Sequence, residues 1–257
     1  MAKDIINITL TSDYVVDGGK ARINKKFWAL FLQGILAGLF IALGAIAYIK
    51  ISSLGSGSAV TTFLAAAIFP TGIIMILVTG AELFTSNTMI VMGAYNKDYK
   101  YRSVIRVLLI VWIANLVGSV CTAAITTASG IFSDAMIDKI SHIAEAKTSM
   151  QIGNMIWSSI LCNIIVCTGV WTAYAIKSAG AKILALWFVI TVFVLSGTEH
   201  IVANMFYLSG AYFMGADITI GGIFYNFAFV TLGNLIDGVL IVTGIKKTIV
   251  SRMKEPA

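Results

Sequence analysis

Few residues of this chain can do chemistry, and the most isolated of them is His200. It is one of two histidines and stands inside an apolar stretch, in the block Gly197-Thr-Glu199-His200-Ile-Val-Ala-Asn204. A second block of the same kind is Gly80-Ala-Glu82-Leu-Phe-Thr-Ser-Asn87. An imidazole takes or gives a proton near neutral pH, and an ionisable group in apolar surroundings is costly enough to point to function, with packing as the alternative. Glu82 and Glu199 can accept hydrogen bonds from freed backbone N–H groups or pair with Lys147; for Glu82 a capping role at a half-helix start is expected. Asn115, Asn163 and Asn234 can bond across helices, as structural glue or as part of a path. His142 lies in a polar connection, so haem ligation by two histidines is not expected. Cys121, Cys162 and Cys167 all fall in apolar stretches, where a cysteine is usually a small buried hydrophobe, so neither a disulfide nor a metal site is expected. Gly34, Gly38, Gly118, Gly221 and Gly222 read as points of close helix approach, and no phosphate-cradling glycine signature sits between a strand and a helix.

The elements that must hold these residues follow from composition. Of 257 residues, 58% are hydrophobic and 12% charged, against about 45–50% and about 25% in soluble globular proteins. Mean hydropathy is +0.91. A soluble enzyme, a nucleic-acid binder and a disordered chain are thereby excluded. Met1–Lys26 carries five basic residues and no apolar core, so no cleavable signal peptide is expected. A helix needs about 20 apolar residues to cross a bilayer. Phe27–Ile49, Val104–Ser129, Ile152–Ile176 and Ile218–Ile245 fit as single spans. Ala59–Ala94 and Ile183–Ala216 run 36 and 34 residues without Lys or Arg, too long for one straight helix each, and each has one of the polar blocks near its middle. A non-helical break between two half-helices accounts for both features. The expectation is six crossings, two of them broken.

Lysine and arginine gather in cytoplasmic segments. The N-terminal segment holds five, the Tyr95–Arg106 connection four, the Lys177–Lys182 connection two and the C-terminal tail four; the alternate segments hold only Lys50, Lys139 and Lys147. Fifteen against three places both termini in the cytoplasm, and the net charge of +6 is a topology signal rather than a sign of a nucleic-acid partner. Gly80, Glu82 and Asn87 recur at Gly197, Glu199 and Asn204 with a constant offset of 117, and Asn115 recurs as Asn234 at 119. With three crossings per half, the second half enters from the opposite side, which gives an inverted 3+3 repeat with halves at 27–129 and 152–245 in one channel domain. Irregular backbone at membrane depth must be buried in protein or line a cavity. Two such breaks meeting near the midplane mark a substrate path, or else are kinks satisfied by neighbouring helices, as the Pro70 kink can be.

Three motifs carry a family resemblance across all six spans. Leu77-Val-Thr-Gly-Ala-Glu-Leu-Phe-Thr-Ser86 resembles the first signature of the formate/nitrite transporter family, Cys162-Asn-Ile-Ile-Val-Cys167 the core of its second, and Ser196-Gly-Thr-Glu-His-Ile-Val-Ala-Asn-Met205 its fifth-helix motif around a central histidine. The resemblance implies a homopentamer in a bacterial cytoplasmic membrane, each protomer aquaporin-like in architecture with its own pore for small monovalent anions. It implies that Leu83, Phe84 and Thr85 form the loop that narrows the cytoplasmic side, with Val166 facing it, and that Phe69, Ile73 and Phe193 narrow the outer side. Between these constrictions His200, Thr85 and Asn163 are the polar groups, with Asn234 close by. Lys147 and Glu199 match a charge pair near the path, and Lys20 matches a residue of the N-terminal helix that closes the inner mouth. Ser159 in place of a small Gly or Ala, and Thr168-Gly169 at the end of the second signature, depart from the family pattern. The branch most resembled is the clostridial hydrosulfide channel, which ranks hydrosulfide above formate and nitrite.

The expected function is therefore passage of weak-acid anions, with His200 supplying a proton at the constriction, and with neither cofactor nor enzymatic activity. A pore for water or small neutral solutes is the alternative, although the paired Asn-Pro-Ala breaks of such pores are missing. A membrane-embedded redox enzyme is more distant, with no histidine pair, cysteine cluster or nucleotide motif in view.

Overall fold

Apolar runs with almost no proline to interrupt them fold as long helices, and polar or left-handed positions set where they stop. The computed structural model describes residues 4–55 and 57–254; Lys3 of the N-terminal basic set lies outside them. An N-terminal helix, α1 (Ile8–Asn24), precedes α2 (Phe27–Ser52), α3 (Ala59–Ile68) and α4 (Thr71–Thr79). Beyond a break come α5 (Phe84–Asn87), a 3-10 turn (Thr88–Ile90) and α6 (Val91–Tyr95). Then follow α7 (Tyr101–Ser129), α8 (Asp134–Thr148), α9 (Ile152–Ala175) and α10 (Ala179–Leu195). After a second break, α11 (Ile201–Phe213) leads to α12 (Ile220–Leu235), a π-turn (Ile236–Val242) and α13 (Thr243–Lys254).

This is an all-helical membrane protein. Five helical stretches are long and apolar enough to cross a bilayer: Phe27–Ser52, Ala59–Thr79, Tyr101–Ser129, Ile152–Ala175 and Ile220–Met253. Each of the four single spans expected from the sequence matches one of them: Phe27–Ile49 and Val104–Ser129 lie inside theirs, Ile152–Ile176 overruns by one residue at its end and Ile218–Ile245 by two at its start. Large apolar side chains such as Trp28, Val78 and Trp157 face outward, which suits hydrocarbon and not water.

The two overlong stretches are interrupted at their polar blocks. α4 ends on Gly80 at φ 72°, and α10 is followed by Gly197 at φ 62°. Both sit in the left-handed region, where a glycine carries no steric penalty. The chain then runs extended through Leu83 and His200, which occupy the N-cap positions of α5 and α11. The halves differ beyond that point. α11 is a regular helix of 13 residues, whereas α5 has only 4 before it tightens into the 3-10 turn. There the Thr88 hydroxyl donates to the Thr85 carbonyl at 2.6 Å, a local side-chain bond of the type that competes with a helical ladder. The segment between the halves, read as a polar connection, is largely α8, an amphipathic helix that buries Met136, Ile140 and Ala144 at four-residue spacing.

Backbones approach closely where the glycines lie. A Cβ at Gly38 would collide with the Asn115 carbonyl, and one at Gly118 with that of Ile35, so α2 and α7 pack through these positions. Gly221 is different, since its nearest neighbour would be 3.8 Å away, and no close approach depends on it. α1 is tied down at its start by a single antiparallel bridge, Ile5 to Ile176, with Ile6 N–H donating to Ala175 O at 2.8 Å and Lys177 N–H to Asp4 O at 2.9 Å.

Candidate functional site

A chain that breaks its helix inside a bilayer must find partners for the freed backbone groups. One asparagine does this at each break, with the same set of bonds. Asn115 on α7 accepts from Phe84 N–H at 2.9 Å and donates to the carbonyls of Gly34 (2.8 Å) and Glu82 (2.9 Å). Asn234 on α12 accepts from Ile201 N–H at 3.0 Å and donates to the carbonyls of Ser159 (2.8 Å) and Glu199 (3.1 Å). Each amide thus clamps the break to a neighbouring helix.

The carboxylates form a second matched set. Glu199 is 2% exposed; it accepts from Asn204 Nδ2 at 2.6 Å and from Lys147 Nζ at 2.7 Å. Glu82, equally buried, accepts from Asn87 Nδ2 at 2.9 Å and from two cations of the N-terminal segment, Arg22 Nε and Lys25 Nζ, both at 2.6 Å. Its expected capping role is thus replaced by an ion cluster that fastens α1 to the first break. Burial works against the Arg22 charge, but Glu82 and Tyr174 beside it together more than offset this and hold the guanidinium proton more tightly than usual. Replacing Glu82 by Gln leaves two partly buried cations without a counter-charge, at a cost of about 3 kcal/mol, the low end for a broken buried pair because both cations keep some contact with solvent. Tryptic cleavage after Lys25 or Lys26 in liposomes is expected to quicken severalfold; parent-like protection would show that α1 is held by other contacts.

His200 lies between these arrangements. Its Nδ1 accepts the Ala203 N–H at 3.2 Å, so the ring itself caps α11, and its Nε2 is 2.9 Å from the Thr85 hydroxyl. An Nδ1 that accepts a backbone N–H carries no proton, which assigns the neutral ring with hydrogen on Nε2, donating to Thr85 Oγ1. The Thr85 hydroxyl keeps its own hydrogen to donate elsewhere. A second proton on the ring can enter only at Nδ1, at the expense of the helix cap.

Two cavities approach this pair from opposite ends of the bundle. One, of about 270 Å³, is lined by His200, Phe69, Phe193, Lys147, Glu199 and Tyr48 among others. The other, of about 300 Å³ beneath α1, is lined by Arg22, Lys25, Gln33, Ile73, Glu82 and Ser86 among others. Gln33 and Tyr48 are 15 residues apart on α2, about 22 Å along its axis. Thr85, fully buried, lies between His200 at the first cavity and its own neighbour Ser86 at the second. An aromatic pair guards the His200 side: the Phe193 ring is 5.9 Å from that of Phe69 and 5.6 Å from the imidazole, centre to centre.

The sequence profile described as formate/nitrite transporter matches residues 10–247. The chain belongs to the formate/nitrite transporter family. It is similar to the formate channel BtFdhC of Bacillus thuringiensis, 32% identical over 234 residues that cover 88% of this chain and 89% of the relative. Among solved structures it resembles one described as an FNT family ion channel, with a TM-score of 0.87 at 27% identity, covering 96% of this chain and 100% of the other. A pentameric formate channel with formate bound superposes with a TM-score of 0.78 at 26% identity, covering 88% and 98%. Members of the formate/nitrite transporter family are channels and transporters rather than enzymes.

Not every residue that the family resemblance singled out reaches a cavity. Phe69, Phe193, His200, Lys147 and Glu199 share one, with Thr85 bonded to the imidazole. Ile73 lines the opposite cavity with Ile76 and Leu77, one helical turn from Phe69 and so on the far side of the aromatic pair. Phe84 turns away and lines an apolar groove of about 630 Å³ with Trp112, Leu108 and Leu235, because its own N–H is pinned to Asn115. Leu83 and Val166 are buried and line neither cavity. The Asn234 side chain is committed to backbone groups, and Asn163 donates to Asn234 O at 2.7 Å. Lys20 points away from the mouth toward Asp17 (3.7 Å) and Asp98 (3.5 Å), on the outer side of α1. Arg22 and Lys25 stand at the mouth instead. The repeat itself carried the signal for them: Glu199 has a cation, so Glu82, its counterpart, needs one too.

Proposed function

We propose that this protein is a channel for small monovalent weak-acid anions, with hydrosulfide preferred over formate and nitrite, and that His200 is the proton-handling group at its narrowest point. The observation that carries the reading is the His200–Thr85 bond at the seam between the two cavities. An anion arriving there meets apolar rings, one hydroxyl donor and a neutral imidazole, and the Lys147 charge in the same cavity is paired with Glu199 and so does not trap it. Shedding water costs the anion several kcal/mol; the Thr85 hydroxyl replaces part of its hydration, and Lys147 and the Arg22–Lys25 pair attract it to the two mouths. A weak acid has a further route, since an arriving anion favours a proton on the nearby ring and that proton can then leave with it as the neutral acid. Hydrosulfide is the strongest base of the three anions and takes a proton most readily.

In this reading 27–129 and 152–245 are the two inverted halves of one channel domain, with six crossings counted by treating each interrupted stretch as one. The matched glycines, carboxylates and clamping asparagines support it. The excess of basic residues on the α1 side favours both termini in the cytoplasm of a bacterial cell, and similarity to a pentameric channel supports a homopentamer. The family match disfavours a water pore.

Flux of hydrosulfide, formate, nitrite and chloride into liposomes over a range of pH tests the proposal. Weak-acid anions should pass with a rate that rises toward acid, and chloride should pass poorly; chloride flux equal to that of hydrosulfide would overturn it. Truncating Leu83 to Ala removes a buried side chain of the first break, 1% exposed, and is expected to raise chloride flux severalfold against formate. A variant as selective as the parent would remove Leu83 from the constriction.

A further inference from the structure

Asp237 plays no part in the anion path described above. It sits three residues beyond Asn234, in the π-turn between α12 and α13. It is completely buried, the only buried aspartate among the described residues, and neither of its carboxyl oxygens makes a hydrogen bond of normal geometry, although the Val242 N–H faces it. A bare carboxylate so short of donors in the middle of a membrane-spanning helix is among the costliest groups a fold can hold. A carboxylic acid in the same place is far cheaper. The π-turn adds a second pointer, because such local widenings of a helix gather at functional positions.

The surroundings show what the state of this group controls. The next residue, Gly238, is pressed so closely on Thr88 and Asn163 that a Cβ there would collide with both side chains. Thr88 Oγ1 donates to Thr85 O at 2.6 Å, and Cys167 Sγ reaches the same carbonyl at 3.6 Å. Asn163 Nδ2 donates to Asn234 O at 2.7 Å, while its own Oδ1 is also without a partner. The donors packed on Gly238 are therefore already in use, holding carbonyls of the Thr85 segment and of the Asn234 clamp, while the donor that faces the Asp237 carboxyl is the Val242 N–H of the same turn. The titratable groups on the elements packed against the turn are few. Cys167 on α9 is one; on α13 Lys246 is held over the Trp171 ring at 4.3 Å; and on α6 Tyr95 donates to Val239 O at 2.9 Å. None of them bonds to Asp237.

We propose that Asp237 is a proton-binding site separate from His200. While it holds the proton, the π-turn rests with Gly238 against Thr88 and Asn163; once it loses the proton, the carboxylate pulls on the N–H groups of its own turn, shifts Gly238 against these two side chains, and through their bonds to the Thr85 and Asn234 carbonyls deforms the wall of the path. The proton leaves to solvent and returns from it, with no other bond made or broken. The effect on transport rests on the anion-channel reading, whereas the occupancy of the site does not.

The test uses the full chain in liposomes, labelled with ¹³C at aspartate side-chain carboxyls. Since the other described aspartates are exposed, a ¹³C-shifted infrared carbonyl band of un-ionised acid at neutral pH belongs to Asp237; it should shift in heavy water and vanish in Asp237→Asn. Absence of that band in the parent overturns the proposal, as does a band that sodium ions abolish at constant pH, which would make the occupant a metal cation. Formate flux supplies the second arm, as the ratio of parent to Asp237→Asn so that formate's own ionisation cancels. Asparagine imitates the protonated form, so the ratio should be near one in acid and drop severalfold toward alkali. A ratio that does not change with pH, with the band present, overturns the control of the wall while leaving the anion channel intact. If Asp237→Asn does not fold, Asp237→Ser serves in both arms.

Discussion

Replacing Asn234 by Ala is expected to cost about 3 kcal/mol of stability and to abolish selective flux, although its side chain never meets the anion. Interhelical hydrogen bonds in membranes are usually modest, about 0.6 kcal/mol on average, because the unfolded chain in lipid finds other partners. This amide is a special case. It satisfies the Ile201 N–H and the carbonyls of Ser159 and Glu199 at a break, where no helical partner exists. Truncation orphans three buried backbone groups at once, each worth about 1–3 kcal/mol when left unpaired, with local relaxation recovering part of the loss. Asn115→Ala should behave alike, since its three bonds match those of Asn234. Asn163→Ala gives up only one donor bond and should cost about 1 kcal/mol. Thermal unfolding in detergent, with flux of formate and chloride in liposomes, separates the outcomes. An Asn234→Ala protein as stable and selective as the parent would mean that the break is held by packing alone.

What could be read from the sequence is what hydropathy and repetition encode. Four spans, the two interruptions and their matched residues all follow from run length, charge spacing and a constant offset, because the bilayer leaves a chain few ways to satisfy its backbone. Direction within a helix is harder to read. Phe69 and Ile73 lie one turn apart on the same apolar side, yet a step at Pro70 and the thinness of the seam put them in different cavities. Phe84 and Thr85 are neighbours whose side chains diverge, one to an apolar groove and one to the imidazole. Lys20 and Arg22 are two residues apart on α1 and so point in opposite senses; only Arg22 meets Glu82. Residue type ranks candidates, but a rotation of about 100° per residue decides which of them faces the path. The buried Asp237 could not be foreseen at all, since its setting depends on how the π-turn packs against its neighbours.

His200→Asn should lower the flux of hydrosulfide and formate by at least about tenfold and flatten its dependence on pH, while the protein folds normally. The choice of asparagine follows from the two tasks of the ring. Nδ1 caps α11 through the Ala203 N–H, and an asparagine oxygen at an N-cap does this as well as any side chain. Nε2, which reaches the Thr85 hydroxyl 2.9 Å away, lies beyond the end of the shorter amide. The substitution therefore removes the proton-bearing nitrogen at the seam and spares the helix cap. Positioned acid–base groups contribute about 100-fold or more to proton-transfer steps; here the dehydrated anion retains a slow passage of its own, so the loss is smaller. A poorly basic anion such as chloride does not use the proton and should pass at its parental low rate. Hydrosulfide flux unchanged at every pH would remove the imidazole from proton transfer and leave it a capping residue alone. A fall in chloride and hydrosulfide flux by the same factor would mark the ring as a steric element of the constriction, because geometry acts on both anions whereas the proton acts on one.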